Sequence, residues 1–249
     1  MTATLPTLHI IVPCFNEART VAELLRRVTA VDFAAMGVRG RVIVVDDGSR
    51  DGSRAAIETF IAGGPAIPVE LLAFPHNRGK GRAIREALER VADGLAVIQD
   101  ADLEYSPEQY PRLVRPLLAG VVRVVYGSRW IGRDRLRMSG WLYALGGFLE
   151  NQFLHLLYRC NISDIATCYK AFDAALLKSL PLQCERFEFC PEVTALLLNR
   201  GEPIMEAPIA YAPRKKGDGK KIRWPDFFVA LRTLWRVRRL LPARPPRES

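Results

Sequence analysis

Leu95-Ala96-Val97-Ile98-Gln99-Asp100-Ala101-Asp102-Leu103-Glu104-Tyr105-Ser106-Pro107 decides how the rest of the chain is read. An apolar run ends at Ile98, acidic residues follow, and Ser106-Pro107 opens a helix, Pro being favoured in a first helical turn. Three carboxylates therefore sit where a buried strand ends. If the chain stays extended, alternation aims Asp100, Asp102 and Glu104 to one side. Hard oxygen ligands of this kind suit Mg²⁺ or Mn²⁺, ions that usually also hold a substrate's phosphates. In an open α/β sheet, ligands bind beyond the carboxyl ends of the strands, which is where this cluster lies. An acidic, solvated loop is the plain alternative, and the stretch alone does not separate the two.

Outward from it, β-branched apolar runs at 8–12, 41–45, 69–74, 95–99 and 121–126 alternate with helical stretches at 20–31, 51–62, 79–91 and 107–118. That alternation predicts an α/β fold with a Rossmann-like, mostly parallel sheet and helices on both faces. After Tyr126 the alternation breaks. Residues 139–158 form a very apolar helix candidate, in which Glu150-Asn151-Gln152 argues against a membrane span. A strand near 169–172, a helix near 191–198 and a strand near 204–211 follow, and the last helix is predicted over 226–241. We divide the chain into a main domain, 1–223, and a basic amphipathic helix and tail, 224–249.

At 249 residues with 49% hydrophobic content, the chain can bury one sizeable core. The net charge of +9 is uneven: residues 214–249 hold 12 Lys+Arg against 3 Asp+Glu, and residues 1–213 hold 24 of each. A neutral body with a basic end fits a surface-seeking segment. It argues against a nucleic-acid-binding protein, for which no motif is present either. The five cysteines are odd in number and include no Cys-x-x-Cys pair, so neither a disulfide framework nor a zinc site is indicated. No signal peptide and no spanning helix is apparent. The expected location is the cytoplasm, peripheral on the inner face of the membrane.

Ile11-Val12-Pro13-Cys14-Phe15-Asn16-Glu17 closes the first strand and Val45-Asp46-Asp47-Gly48-Ser49-Arg50-Asp51-Gly52 the second. Both ends fall on the rim that carries Asp100. Acidic residues there can accept hydrogen bonds from ribose hydroxyls or base N–H groups, while Asp51 or Ser49 can cap the following helix. These motifs, with Asn77-Arg78-Gly79-Lys80-Gly81, Asp100-Ala101-Asp102, Gly127-Ser128-Arg129, Asp164, Tyr169-Lys170-Ala171-Phe172 and Phe187-Glu188-Phe189-Cys190-Pro191-Glu192, resemble glycosyltransferase family 2 in order and spacing. Within that family they look like the dolichyl-phosphate (polyprenyl-phosphate) mannose synthase branch.

The resemblance covers roughly residues 8–225 and implies a GT-A type catalytic domain. It assigns nucleotide-sugar binding to Pro13, Phe15, Glu17, Val45, Asp47 and Ala101. Asp100, Asp102 and Glu104 become metal ligands, with Mg²⁺ or Mn²⁺ as cofactor. Relatives can carry Gln at the last position, so Glu104 is a departure that adds negative charge. Arg129 corresponds to an Arg that meets an acceptor lipid's phosphate, and Arg133, Arg135 and Arg137 compete for a second such role, for which Arg137 is favoured. Arg214 and Lys220 belong to a stretch that closes over the donor's diphosphate, with a solvated charge run as the alternative.

Asp100, Asp102 and Arg129 are thus the expected catalytic residues. The implied reaction is transfer of a sugar, with GDP-mannose the favoured donor, onto a polyprenyl phosphate at the membrane surface by in-line displacement with inversion. A phosphate acceptor with a second pKa of about 6 is largely ionised near neutral pH and needs no base. For a hydroxyl acceptor, Glu188 or Glu192 would serve, Glu192 also fitting a helix-start carboxylate. A UDP-sugar donor or a glycan hydroxyl acceptor is the alternative. The final helix, with Phe227, Phe228, Leu231, Leu234, Trp235 and Leu241 at helical spacing and Arg232, Arg236, Arg238 and Arg239 between them, suits either a membrane interface or the core.

Overall fold

Strands buried on both faces read as near-continuous apolar runs, and Leu8-His9-Ile10-Ile11-Val12 and Val42-Ile43-Val44-Val45 do so because helices cover them from either side. The computed structural model of the chain describes residues 5–131, 141–214 and 224–240. In order, it contains β1 (Thr7–Cys14), α1 (Val21–Thr29), β2 (Arg39–Asp46), α2 (Ser53–Ala62), β3 (Val69–Ala73), α3 (Lys80–Leu88), β4 (Leu95–Ile98), α4 (Tyr110–Leu118), β5 (Val124–Ser128), α5 (Trp141–Tyr158), β6 (Lys170–Asp173), α6 (Ala174–Ser179), α7 (Phe189–Arg200), β7 (Met205–Pro208) and α8 (Trp224–Leu240).

These strands form one seven-stranded sheet of order β3-β2-β1-β4-β6-β5-β7. All neighbours run parallel except β6, which is antiparallel to both β4 and β5. The strand order reverses between β1 and β4, where Gln99 N donates to Ile11 O at 2.9 Å. Such a reversal opens a crevice at the carboxyl ends of the strands, and the acidic stretch lies at its mouth.

Alternation in the central strands divides the core in two. Ile11, Ile43 and Val45 face α3, α7 and α8, whereas Leu8, Ile10, Val12, Val42 and Val44 face α1, α2 and α4. The mostly parallel α/β arrangement with helices on both faces is as expected. The final helix packs Leu234 and Val237 into the core, and Tyr158 and Asn199 bond its carbonyls at Leu234 (3.0 Å) and Val237 (2.9 Å). Its outer side exposes Phe228, Val229, Trp235 and Leu240, so core packing and an exposed aromatic face coexist on one helix.

Candidate active site

The first two motifs are knitted together before any ligand is considered. Asn16 takes a left-handed φ of 51°, and its N–H donates to Ser49 Oγ at 2.9 Å while its Oδ1 accepts from Arg50 N at 2.9 Å. Glu17 N donates to Ser53 Oγ at 2.7 Å and Ala18 N to Asp51 Oδ2 at 3.0 Å. Asp51 Oδ1 also accepts from Ser53 N at 3.0 Å in the first turn of α2, so it serves helix and loop at once.

Asp47 ties in the third motif. Its buried carboxylate accepts from Arg78 N (2.6 Å), Gly79 N (2.8 Å) and Asn77 Nδ2 (2.8 Å). Burial pushes this carboxyl above its ordinary value, further than the Arg78 and Gly79 N–H groups draw it down. Both oxygens thus organise the 77–79 turn, a task the expected nucleoside contact did not include. The side chains of Val45 and Ala101 are packed in the core, which leaves their backbone to face a ligand. Pro13 and Phe15 are half-buried on the rim.

The acidic stretch does not stay extended. Regular pairing stops at Ile98, and the fully buried Gln99 side chain bends the chain after it, donating to Asp100 O (3.1 Å) and Tyr105 O (3.2 Å) and accepting from Tyr110 Oη (3.0 Å). Leu103 has a φ of 63°, a left-handed conformation that breaks strand alternation. The three carboxylates therefore separate. Asp100 pairs with Lys80 Nζ. Asp102 Oδ1 accepts from Glu104 N at 3.0 Å, and its Oδ2 lies 3.3 Å from Arg214 Nη2. Glu104 turns to Tyr211 Oη (2.8 Å) and Arg214 N (3.0 Å). Asp100, Asp102 and Glu104 thus each meet a different partner, and among the described residues no three His, Cys, Asp or Glu side chains gather as a metal site.

Asp100 and Asp102 still fit a divalent ion on chemical grounds. Both are hard oxygen donors on the open rim, and each is now balanced by a flexible cation, Lys80 or Arg214, that a metal–diphosphate pair can replace. Arg214 joins three segments, since Nη2 also meets Glu17 Oε1 at 2.7 Å.

Arg129, at the end of β5, is not a solvated cation. Asp164, 1% exposed, takes its Nε at 2.8 Å and Nη2 at 2.7 Å, and accepts from its backbone N at 3.0 Å. Tyr211 lies under the guanidinium, 5.2 Å from ring centre to Cζ. Glu206 of β7 orders the loop that carries Asp164, accepting from Ser163 N (2.8 Å), Ser163 Oγ (2.8 Å) and Asp164 N (3.1 Å). Sequence reading gave no role to Glu206, Ser163 or Tyr211; an acidic residue inside a predicted strand was the one available signal. Burial raises the Glu150 carboxyl to about 8, with Lys170 and Arg129 opposing and Asp164 reinforcing the shift.

Neither candidate base is poised. Glu192 is 1% exposed, its Oε2 accepting from Gln183 N (2.9 Å) and Cys184 N (2.7 Å) and its Oε1 from Arg236 Nη2 (2.9 Å). Glu188 Oε1 accepts from Glu185 N at 2.9 Å. Arg133, Arg135, Arg137 and Lys220 lie outside the described residues.

The family model described as "Glycosyl transferase family 2" matches residues 9–180. The chain is 30% identical over 218 residues to an undecaprenyl-phosphate 4-deoxy-4-formamido-L-arabinose transferase of Edwardsiella ictaluri, covering 87% of this chain and 63% of that protein. It is 28% identical over 222 residues to the low-salt glycan biosynthesis hexosyltransferase Agl6 of Haloferax volcanii, covering 89% and 51%. The chain thus spans between half and two thirds of the length of these curated relatives. Among solved structures, glucosyl-3-phosphoglycerate synthase from Mycobacterium tuberculosis, in complex with Mn²⁺, UDP and glucosyl-3-phosphoglycerate, superposes with a TM-score of 0.70 at 19% identity, covering 96% of this chain and 81% of that one. That likeness concerns the fold, and it agrees with the expected GT-A type, Rossmann-like arrangement.

Proposed function

Because the chain belongs to glycosyl transferase family 2, we propose that it moves a sugar from a nucleoside-diphosphate donor onto a polyprenyl phosphate at a membrane surface, inverting the anomeric carbon. The observation that carries this reading is Arg214, whose Nη2 meets both Glu17 Oε1 (2.7 Å) and Asp102 Oδ2 (3.3 Å) and so draws the β1 loop, the acidic turn and the segment after β7 to one point on the rim. A guanidinium beside two rim carboxylates suits a diphosphate and its counter-ion.

In this reading Asp100 and Asp102 hold Mg²⁺ or Mn²⁺, which when bound offsets charge developing on the leaving diphosphate. Arg214, with Lys220, screens the same oxygens, and Pro13, Phe15, Glu17 and the loop that Asp47 organises seat the nucleoside. Arg129, with Arg137, orients the acceptor phosphate, while Asp164 fixes the guanidinium's direction. An acceptor oxygen attacks the anomeric carbon as the bond to the diphosphate breaks, and the electron pair leaves with the diphosphate. That Glu188 and Glu192 are engaged in backbone hydrogen bonds supports an acceptor that needs no base.

Membrane attachment is supported by two exposed faces. Helix α5 exposes Leu145, Phe148, Leu149 and Leu156, and α8 exposes Phe228, Trp235 and Leu240 beside Arg232 and Arg239. Apolar and aromatic residues with flanking arginines fit a lipid interface, each Arg near anionic lipid contributing about 1 kcal/mol. No helix among the described residues is long and apolar enough to cross a membrane. We place this surface on the inner leaflet, facing the cytoplasm.

For the donor, the motif resemblance favours GDP-mannose, whereas the matched relatives are named for a formamido-arabinose and a hexose. Transfer from radiolabelled GDP-mannose and a set of UDP-sugars into polyprenyl phosphate, with and without Mn²⁺, decides between them. Metal-dependent label in the lipid, lost in Asp102→Ala, is the expected outcome. Donor binding without lipid labelling would overturn the acceptor assignment.

A further inference from the structure

Most residues of α5 are apolar, yet among its described side chains the buried ones are Glu150, Asn151 and Leu154, while Leu145, Phe148, Leu149 and Leu156 are exposed. Polar groups inside and large apolar groups outside reverse what hydrophobicity alone arranges, and a buried polar side chain of this kind has a specific hydrogen-bonding task. For Asn151 the task is plain. Its Nδ2 donates to Ser163 O at 2.6 Å and its Oδ1 accepts from Ile165 N at 2.9 Å, so one amide brackets Asp164 in the chain. One turn further along the helix, His155 Nε2 donates to Ile162 O at 2.7 Å. The 162–165 segment is thereby held by α5 as well as by Glu206, and Ser163 Oγ also meets Ser128 Oγ at 2.6 Å, next to Arg129.

We propose that Asn151 is a positioning residue for Arg129, and that through it the seating of α5 on a lipid surface sets the acceptor site. Asp164 fixes the direction of the Arg129 guanidinium with bonds of 2.7 and 2.8 Å, so the guanidinium follows wherever that carboxylate is held. Asp164 in turn lies between the two backbone groups that the Asn151 amide grips. A planar amide carries both a donor and an acceptor, as the Ser163 carbonyl and the Ile165 N–H require; neither Asp nor Leu offers both. Beyond this amide and His155, α5 is joined to the body by Leu154 in the core and by Tyr158 Oη, which donates to Leu234 O of α8 at 3.0 Å. Lipid covering Phe148, Leu149 and Leu156 restrains the helix from outside, and the amide passes that restraint to the segment carrying Asp164. The inference rests on the reading that Arg129 meets the acceptor phosphate and that α5 faces lipid.

Asn151→Ala removes both bonds at a helix position that alanine suits, and His155→Ala removes only the bond at Ile162. Wild type and variants are compared by amide hydrogen exchange, free and bound to vesicles of phosphatidylcholine and phosphatidylglycerol that contain no acceptor. In the wild type, vesicle binding is expected to slow exchange in α5 and in 162–165 together. In Asn151→Ala, the Ile165 amide exchanges faster without vesicles, and vesicles then protect α5 alone. His155→Ala gives an intermediate response and stands in for Asn151→Ala if that variant does not fold. With polyprenyl phosphate added to the vesicles, Asn151→Ala raises the acceptor KM about tenfold, the size of one net hydrogen bond, and leaves the donor KM unchanged. A general loosening of the fold would move both. A 162–165 segment that exchanges alike in the free and vesicle-bound wild type, a wild type that does not sediment with the vesicles, or donor and acceptor KM rising together would each overturn the proposal. If no donor labels polyprenyl phosphate in the wild type, the proposed reaction is what fails, and the exchange comparison still decides whether Asn151 carries the seating of α5 to Asp164.

Discussion

Replacing Asp164 by Asn tests whether Arg129 is held by a buried ion pair. The carboxylate is 1% exposed and engages Arg129 at 2.7 and 2.8 Å through the side chain and at 3.0 Å through the backbone. Asparagine preserves shape and can still accept from the Arg129 backbone N–H, but it leaves the guanidinium charge uncompensated. Removing one partner of a buried pair costs about 3–5 kcal/mol, and because the Arg129 side chain keeps 15% of its exposure, the lower end applies. With a urea m-value of roughly 3 kcal/mol/M, the unfolding midpoint drops by about 1 M. Adding Arg129→Met to Asp164→Asn removes the stranded charge while keeping the backbone acceptor, and at least half of the lost stability returns. The proposed transfer to polyprenyl phosphate does not return, because the cation assigned to the acceptor is gone. A midpoint shift under about 0.3 M for the single variant, the size expected of a screened surface pair, would refute this reasoning. Recovery of transfer in the double variant would remove Arg129 from the acceptor site.

What could be read from the sequence was what local pattern determines. The strands β1, β2 and β4 announced themselves because both of their faces are buried, and the rim motifs followed from where those strands end. The run at 121–126 was set too early: Val121 is 67% exposed after the helix-terminating Gly120, and the strand begins only at Val124. Helix α6 has six residues, too few for a period to show. Contacts between distant segments were not legible at all. Nothing near Glu104 signals that Arg214 N and Tyr211 Oη will claim its carboxylate, and nothing near Leu103 signals the left-handed turn that separates the three acids. The side chain of Asp47 likewise reads as ligand-facing until the fold gives its oxygens to the third motif.

Two further perturbations probe the same architecture. Gly79 has φ 95° and ψ 156°, a region essentially reserved for glycine, and an added Cβ would lie 2.3 Å from Glu185 O. Gly79→Ala is therefore expected to lower the thermal midpoint by several degrees and to weaken nucleotide binding through the loop Asp47 holds; an unchanged melting curve would show that the turn is not built this way. Glu150 gives a pH signature whose sign is fixed by burial. Its carboxyl rises from 4.5 to about 8 in the folded chain, chiefly through desolvation among Cys190, Lys170, Asp164 and Arg129. The folded state thus binds this proton more tightly than the unfolded state does. The stabilisation is complete below about pH 4.5 and is lost as pH climbs toward 8. Glu150→Gln lacks this slope, so melting curves taken across that range should show the variant gaining on the wild type with each step upward and the gap levelling off above about pH 8. Parallel curves would mean that Glu150 is ionised in the fold throughout, with Lys170 and Arg129 outweighing its burial.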